Sequence, residues 1–372
     1  MKLTIERADL LKALSHVQNI VERRNTIPIL ANVLLEADNG ALKLTATDLD
    51  IEAVDEADAD VASPGAITAP AQTLFDVVRK LPDGSDVSLS LDTSNQRLTL
   101  EAGRSQFALP TLPASDFQTM ASDEEGTSFD VDPADLRRLI DKTRFAISTE
   151  ETRYYLNGVY LHAADGEQGK VLRTVATDGH RLALAEIDVP AGAESLQGVI
   201  VPRKAIAELR RLIDNLNEPV GISVSDTKTV FRAGRAVLTT KLIDGSFPDY
   251  ARVIPKSNEK RLLINNKAFE AAVDRVATIA TERSRSVKLS LDDGRLQLAV
   301  KHAETGQGNE EIEADYAAEP MEIGFNARYL LDVAAQIEAE DAEFLFHDPA
   351  SPALVLDPGD AAARYVLMPL RV

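Results

Sequence analysis

The feature that most constrains this chain of 372 residues is an internal repeat. Four short motifs occur twice in the same order, and each second copy follows the first by 130 to 132 residues: Ala-Thr-Asp at 46–48 and 176–178, Pro70 and Pro202, Ala-Gly-Arg at 102–104 and 233–235, and Phe117 and Phe247. Chance explains one such recurrence, but four at nearly one offset indicate a duplicated domain. A chain built from copied domains usually spreads its function over a repeated surface.

A third, more divergent copy follows the first two. The turn and strand at residues 39–44 are matched by residues 293–298, which lie 254 positions later. Polar linkers at residues 121–126 and 255–260 divide the chain into segments of similar length. We therefore predict three domains, at residues 1–122, 127–254 and 260–372.

Each segment has the same predicted order of elements, which is strand, helix, several strands, second helix and more strands. Apolar residues at helical spacing mark the second helix of each segment, and they are Leu74, Val77, Val78 and Leu81; Ile206, Leu209 and Ile213; and Tyr329, Leu330, Val333 and Ile337. Alternating runs such as 87–91, 97–100 and 222–224 predict antiparallel strands with one buried face. The predicted fold is α+β, with two helices lying on antiparallel sheet in each of three repeated modules.

The composition excludes several classes of protein. The chain has no Cys, which excludes disulfides, thiolate metal sites and a cysteine nucleophile. No apolar run approaches the length of a membrane span, and the N-terminus alternates like a strand instead of resembling a signal peptide. We therefore predict a cytoplasmic protein with no membrane partner.

The charge is strongly negative overall but unevenly distributed. The net charge is −20, which by itself argues against a nucleic-acid partner. Basic residues nevertheless gather on the helices predicted around residues 70–81, 133–144 and 202–213, where Arg79, Arg138, Lys142, Lys204 and Arg211 lie opposite the apolar stripes. These residues either keep ordinary helices soluble or form a basic face held apart from an acidic exterior. Both interpretations place them in solvent.

A search for catalytic groups finds only weak candidates. Asp178 and His180 form an Asp-x-His pair that could ligate a metal, but the other histidines are scattered. There is no phosphate-binding loop, and Ser246 lacks the flanking glycines of a nucleophile elbow. Asp48 and Asp178 are more typical of turn residues. We expect no catalytic residue, no cofactor and no metal; the alternative is a metal-dependent hydrolase that uses Asp178 and His180.

Several longer motifs resemble the bacterial DNA polymerase III β subunit family, the sliding clamps, over the whole chain. They are Tyr-Tyr-Leu-Asn-Gly at 154–158, Arg-Thr-Val-Ala-Thr-Asp-Gly-His-Arg-Leu-Ala at 173–183, Val-Pro-Arg-Lys at 201–204, Phe-Pro-Asp-Tyr at 247–250, Met-Glu-Ile-Gly-Phe-Asn at 321–326, and the two ends at 1–7 and 368–372. The resemblance implies DNA-clamp modules that close as a head-to-tail homodimer into a six-module ring around duplex DNA. It also implies a processivity factor of the DNA polymerase III holoenzyme in DNA replication. A repeat protein that binds nucleic acid without encircling it is a further alternative.

The resemblance also implies a groove that binds short linear peptides of the polymerase catalytic subunit, the clamp loader, and repair and translesion polymerases. Its residues in this sequence would be Leu156, Thr177, Gly179, His180, Arg181, Leu182, Pro248, Arg252, Val253, Asn326, Tyr329, Val366, Met368, Pro369, Leu370 and Arg371. The apolar members would form pockets for Leu and Phe side chains of the partner.

Further contacts follow from the same resemblance. DNA would be contacted, without sequence preference, by Arg24, Arg153, Tyr154, Tyr155, Arg203 and Lys204, in addition to the basic helix residues. The dimer would close through Phe107 and Leu109 of one chain against Ile279 and Ala280 of the other. Residues 302–311 are expected to form a long and mobile stretch of unknown role.

Overall fold

The computed structural model describes residues 1–22, 26–92, 96–120, 126–280 and 285–371, and its elements follow the predicted order in each repeat. The first repeat contains β1 (Lys2–Glu6), α1 (Arg7–Val17), β2 (Asn32–Asp38), β3 (Ala41–Thr47), β4 (Ile51–Asp58), β5 (Asp60–Ser63), β6 (Gly65–Pro70), α2 (Ala71–Lys80), β7 (Asp86–Asp92), β8 (Arg97–Ala102) and β9 (Ser105–Pro110). The second contains β10 (Thr127–Val131), α3 (Pro133–Asp141), β11 (Gly158–Gly166), β12 (Gly169–Thr177), β13 (Arg181–Asp188), β14 (Val199–Pro202), α4 (Arg203–Leu212), β15 (Val220–Val224), β16 (Lys228–Ala233) and β17 (Ala236–Lys241).

The third repeat keeps the same plan. It contains β18 (Lys260–Asn265), α5 (Asn266–Ala277), β19 (Ser286–Asp292), β20 (Arg295–His302), β21 (Gly306–Glu313), β22 (Asp315–Tyr316), β23 (Met321–Asn326), α6 (Ala327–Ala334), β24 (Asp341–Phe346), β25 (Ala353–Asp357) and β26 (Asp360–Leu367). Short 3₁₀ helices lie at Pro28–Ala31, Ala114–Asp116, Arg144–Ala146, Glu151–Leu156 and Tyr250–Arg252. Most of residues 302–311, expected to be a long and mobile stretch, lie in paired strands, because β20 and β21 pair from Arg295↔Glu313 to His302↔Gly306.

The amphipathic stripes bury as their spacing predicts. Helix α2 buries Ala71, Leu74 and Val78, and it begins directly after Pro70, whose fixed φ of −58° suits a residue preceding a helix. Helix α4 begins after Pro202 in the same way and buries Ala205, Ile206 and Leu209. Helix α6 buries Leu330 and Val333, but its N-cap is Asn326, whose side chain accepts a hydrogen bond from the Arg328 amide.

The chain forms two compact units, and each contains two sheets. The first unit comprises residues 1–137, 190–193 and 201–242. Its sheets have the strand orders β5-β1-β7-β8-β9 and β10-β15-β16-β17-β4-β3-β2-β6. The second sheet is continuous across two repeats because β17 pairs with β4, from Val237↔Val54 to Thr240↔Ile51.

The second unit comprises residues 138–189, 194–200 and 243–372. Its sheets have the orders β14-β11-β12-β13-β26-β25-β24-β18-β22 and β21-β20-β19-β23. Here β13 pairs with β26, from Arg181↔Leu367 to Ala185↔Ala363, so the second and third repeats share one sheet. No helix in the described part of the chain is long and apolar enough to cross a membrane.

The repeated Thr-Asp pair builds the same turn in both units. In the first, the Thr47 hydroxyl donates to Ile51 O at 2.9 Å, and Asp48 Oδ1 accepts from the amides of Asp50 and Ile51. In the second, Thr177 donates to Arg181 O at 2.6 Å, and Asp178 Oδ1 accepts from the amides of His180 and Arg181. The recurring aspartates are therefore turn residues, as their position at a strand end predicts.

Candidate functional site

An apolar groove of about 230 Å³ lies in the second compact unit. It brings together many of the residues predicted for a partner groove, namely Leu156, Thr177, Gly179, Arg181, Leu182, Pro248, Val253, Val366 and Met368. Leu182 and Val366 face each other across the β13–β26 pair and form its floor, and they pack with Val175 and Leu184 in one buried cluster. The groove thus depends on the sheet that the second and third repeats share.

The rim of the groove leaves large apolar side chains in solvent. Val253 is 47% exposed and Met368 39% exposed, whereas Leu156 and Leu182 are each 3% exposed. A buried apolar floor with an exposed apolar rim is typical of a surface that another molecule covers.

Four lining residues were not predicted as groove residues: Arg153, Tyr155, Asp249 and Tyr250. Arg153 and Tyr155 were predicted as DNA contacts, but their 3₁₀ helix, Glu151–Leu156, carries them to the groove. The Arg153 guanidinium lies so close to Gly179 that a Cβ added there would collide with its Nη1. Asp249 and Tyr250 could have been found from their place in the 247–250 motif.

A buried arginine organises one end of the site. Arg181 is 7% exposed, and its guanidinium carbon lies 4.4 Å from the centroid of the Tyr329 ring. It pairs with Asp178 at 3.2 Å and with Asp332, and it donates to Phe145 O at 2.7 Å. The His180 ring stacks on the Tyr329 ring, with 6.3 Å between the ring centroids, and both residues belong to the predicted groove. Burial and the nearby Asp178 raise the pKa of Tyr329, so this ring stays neutral.

The remaining predicted groove residues lie outside the lining of the cavity. The Met368 amide donates to His180 O at 2.9 Å and the Leu370 amide to Gly324 O at 2.8 Å, which carries Pro369, Leu370 and Arg371 from β26 to β23. Leu370 is 39% exposed. Asn326 caps α6, and Arg252 pairs with Asp249 at 2.7 Å.

The Asp178–His180 pair does not form a metal site. Both Asp178 oxygens are already used, Oδ1 by two backbone amides and Oδ2 by Arg181. Within the described ranges, no group of three or more His, Cys, Asp or Glu side chains could hold a metal ion. The motif instead shapes the turn between β12 and β13, which supplies Gly179 and Arg181 to the groove.

The predicted DNA-contacting basic residues of the first unit differ in side-chain exposure and in ion pairing. Arg203 is exposed, and Arg79 and Arg211 each keep 57% of the side chain in solvent while they pair with Asp76 and Glu208 on their own helices. Lys204 is held by Asp48 and donates to Ile20 O at 2.9 Å.

The prediction that Lys142 faces solvent is wrong, and Arg138 is only partly exposed, with 26% of its side chain in solvent. Lys142 is 5% exposed and donates to Gln336 O at 2.6 Å and to Glu338 at 2.7 Å. Arg138 grips both oxygens of Asp360, at 2.6 and 2.7 Å. These carboxylates and this carbonyl satisfy Arg138 of α3, and Lys142 directly after it, within the second unit. In the same unit Tyr154 is 55% exposed. Arg24 lies outside the described residues.

The residues predicted for dimer closure lie at two sheet edges. Strand β9, with Phe107 and Leu109, ends the five-stranded sheet, and β21 ends the four-stranded sheet. Phe107 is 38% exposed, whereas Leu109 is 6% exposed and faces Leu98 in its own sheet. Ile279 and Ala280 follow α5 beside β21, where the Thr305 hydroxyl donates to Ile279 O at 2.6 Å.

Comparison with known proteins covers the chain from end to end. Three family models match, described as the N-terminal, central and C-terminal domains of the DNA polymerase III beta subunit, at residues 1–121, 130–249 and 251–371. The beta sliding clamp of Caulobacter vibrioides (strain NA1000 / CB15N) is 61% identical over 372 residues, which cover 100% of both chains.

Solved structures agree with the sequence comparison. The DNA polymerase sliding clamp from Caulobacter crescentus is 60% identical, with a TM-score of 0.95 and 100% of both chains covered. A sliding clamp from Bartonella birtlesii, solved bound to griselimycin, is 46% identical, with a TM-score of 0.97 and the same full coverage.

Proposed function

This chain belongs to the family of bacterial DNA polymerase III beta subunits, the sliding clamps, and on that premise we propose that its homodimer encircles duplex DNA and tethers the replicative polymerase. The tethering is not catalytic and needs no cofactor, and the protein works in the cytoplasm. We place the three domains at residues 1–122, 127–254 and 260–372.

The observation that carries the proposal is the apolar groove. Its floor of Leu182 and Val366 is closed to water, and its rim presents Val253 and Met368. Such a groove suits a short peptide that inserts Leu and Phe side chains and hydrogen bonds through its backbone. We assign this role to the sixteen residues of the predicted groove and add Arg153, Tyr155, Asp249 and Tyr250. The occupants are the polymerase catalytic subunit, the clamp loader, and repair and translesion polymerases.

The DNA-facing residues are proposed from the cations that keep solvent access. The cations are Arg79, Arg203, Lys204 and Arg211. To them we add Tyr154 and, from the family resemblance alone, Arg24. Arg138 and Lys142 are left out of this set because their side chains are only 26% and 7% exposed, less than the 35% of Lys204, which also pairs with a carboxylate. Contacts to phosphate from such side chains carry no sequence information and weaken with salt, which suits a protein that slides.

The ring is proposed to close through the free sheet edges. In the described ranges, β9 and β21 each have a pairing partner on one side only, so an edge of one chain can extend the sheet of the next. A head-to-tail arrangement of two chains places β9 of one against β21 of the other, and closure leaves neither edge exposed.

The decisive experiment loads the protein with a clamp loader onto nicked circular DNA and then cuts the circle. Retention by topology predicts that the protein stays on the circle at moderate salt and is released from the cut form, because a linear duplex lets a ring slide off its end. Equal retention on both forms would contradict encirclement and favour a repeat protein that binds the side of the duplex. An uncut circle carried through the same steps is the control.

The groove assignment has a separate test. Leu182→Ala with Met368→Ala should weaken binding of a Leu- and Phe-containing peptide at least about tenfold, since each truncation removes buried or contacting apolar area. Sedimentation should still give a dimer. Ile27→Ala, which truncates a side chain that is 46% exposed in the first unit, is the matched control. Unchanged peptide binding in the double variant would contradict the assignment.

A further inference from the structure

One wall of the groove is formed by residues 248–253, which hold little regular structure. Its only helix is the three-residue 3₁₀ turn Tyr250–Arg252, and within it the Val253 amide donates to Tyr250 O at 3.1 Å. Because Pro248, Tyr250 and Val253 all line the groove, whatever fixes Tyr250 also fixes the shape of that wall.

The Tyr250 hydroxyl is held by a chain of hydrogen bonds that runs away from the groove. Arg173 Nη1 donates to the hydroxyl at 3.0 Å, and His162 Nε2 lies 3.0 Å from the same oxygen. Arg173 is anchored in turn by Glu186, with its Nε 2.8 Å from Oε2. His162 and Arg173 are direct partners across the β11–β12 pair, so the sheet itself sets their spacing.

The donors and acceptors fix the state of His162. Its Nδ1 lies 2.8 Å from Ala163 O, and since a carbonyl oxygen can only accept, Nδ1 carries the hydrogen. In the neutral ring Nε2 is then an acceptor and receives the Tyr250 O–H, while the guanidinium donates to the hydroxyl oxygen. A second proton on Nε2 would remove this acceptor and place a positive charge beside Arg173.

We propose that His162 is a positioning residue of the partner groove, which in its neutral form holds Tyr250 and which, when it takes up a proton, releases the wall and weakens peptide binding. This inference rests on the proposed function of the groove.

The surroundings of His162 support a neutral ring at physiological pH. Burial lowers its pKa, and the charge of Arg173 lowers it further, against the opposing effect of the bond to Ala163 O. The charged and titratable groups around it are Arg173 and Lys170 from β12, Tyr160 on β11, and Tyr250. Glu194 lines, with His162 itself, a surface cavity separate from the groove. The neutral form prevails above the lowered pKa, so affinity should be constant near neutral pH and fall as the pH drops through that pKa.

The test measures peptide affinity as a function of pH. The probe is a tetramethylrhodamine-labelled peptide, Ala-Leu-Ala-Leu-Phe, capped at both ends so that it does not titrate. All proteins carry His180→Gln, which removes the other histidine near the groove. With His162 intact, affinity should fall about fivefold between about pH 7.5 and about pH 5, the loss expected for one hydrogen bond.

Two variants separate positioning from a general structural role. His162→Gln keeps an acceptor for the Tyr250 hydroxyl and cannot take up a proton, so it should bind as the parent does at pH 7.5 and change less than about twofold on acidification. Tyr250→Phe should be about fivefold weaker at pH 7.5 and equally insensitive to pH. Parallel pH curves for the parent and His162→Gln would overturn the inference and leave the groove intact. No binding at any pH by the chain that keeps both His162 and His180 would overturn the groove itself.

Discussion

At the scale of single residues, Leu49 and Gly179 occupy equivalent places in the two copies of one turn. Their φ angles are 78° and 86°, both in the left-handed region that disfavours residues with a Cβ. The Thr-Asp hydrogen bonds hold Leu49 there in spite of its side chain. The second copy has glycine instead, and the space that this leaves is filled by the Arg153 guanidinium, which lines the groove.

Gly179→Ala should therefore damage both the fold and the groove. The left-handed backbone costs a residue with a Cβ about 1–2 kcal/mol, and the new methyl group must displace Arg153. We expect a lower midpoint of urea unfolding and weaker peptide binding. Gly84→Ala is the matched control, since Gly84 has a φ of 69° and open space around its Cβ position. If both variants bind peptide as the wild type does, Arg153 has no role in the groove.

The basic residues mark where prediction from the sequence fails at this scale. The sequence places Arg138 correctly on the polar side of α3, and Lys142 directly follows that helix. Their partners, Asp360, Gln336 and Glu338, lie about 200 positions away along the chain. The helical spacing of apolar residues cannot reveal such partners, because it predicts only which face of the helix packs on the core of its own repeat. Burial against another repeat then turns a face predicted for solvent into a set of satisfied ion pairs.

At the scale of elements, local signals predict structure well and pairing between repeats poorly. The apolar stripes of α2, α4 and α6 and the Thr-Asp turns follow from spacing and turn chemistry alone, and all are confirmed. The continuity of the sheets through β4–β17 and β13–β26 does not follow from either. Strand alternation specifies which face is buried but not which distant strand is the neighbour. The groove floor depends on the second of these pairings, so only the family motifs could suggest it.

The free edge of β9 permits a prediction about assembly. Phe107 is an exposed aromatic side chain on that edge, and a neighbouring chain that covers it would have to bury any replacement. Phe107→Asp should raise the dissociation constant of the dimer at least about tenfold, because an unpaired carboxylate is costly to bury. Sedimentation equilibrium measures this directly.

Phe107 is chosen because its replacement should weaken the dimer without destabilising the fold of the single chain. Leu109 is packed against Leu98 in its own sheet, so its replacement would also weaken the fold. Tyr154→Asp is the control. Tyr154 is 55% exposed and lies in neither β9 nor β21, so this variant should remain dimeric. A dimer unchanged by Phe107→Asp would place the interface elsewhere.

At the scale of the whole molecule, duplication raises the question of how many partner grooves one chain carries. The repeat aligns Asp48 with Asp178 and therefore Asp50 with His180 and Glu52 with Leu182. One backbone hydrogen bond beside the turn also recurs in the two units. The Lys241 amide donates to Asp50 O at 2.8 Å in the first unit, and the Met368 amide donates to His180 O at 2.9 Å in the second. Lys241 thus stands where Met368 stands.

These replacements make the first copy of the site polar. Lys241 Nζ lies 2.9 Å from Asp50 Oδ1, and Glu52, 6% exposed, accepts from the Met120 amide at 2.7 Å. Burial raises the pKa of Glu52, so an apolar side chain placed against it would add to a desolvation that is already unfavourable. The first copy therefore lacks the apolar floor and rim that a Leu or Phe side chain needs.

Each chain should therefore bind one peptide, although the same turn and strand pairing occur twice, at β4–β17 and at β13–β26. Isothermal titration calorimetry with the Leu- and Phe-containing probe should give one site per chain, because an apolar side chain gains little from a surface of paired charges. Leu182→Ala with Met368→Ala should reduce that single binding event and reveal no second one. Asp50→Asn and Lys241→Gln, which remove charge only from the first copy, should leave the stoichiometry and the affinity unchanged. A second site per chain, or a loss of affinity on changing Asp50 or Lys241, would mean that the first copy, at β4–β17, also binds peptide.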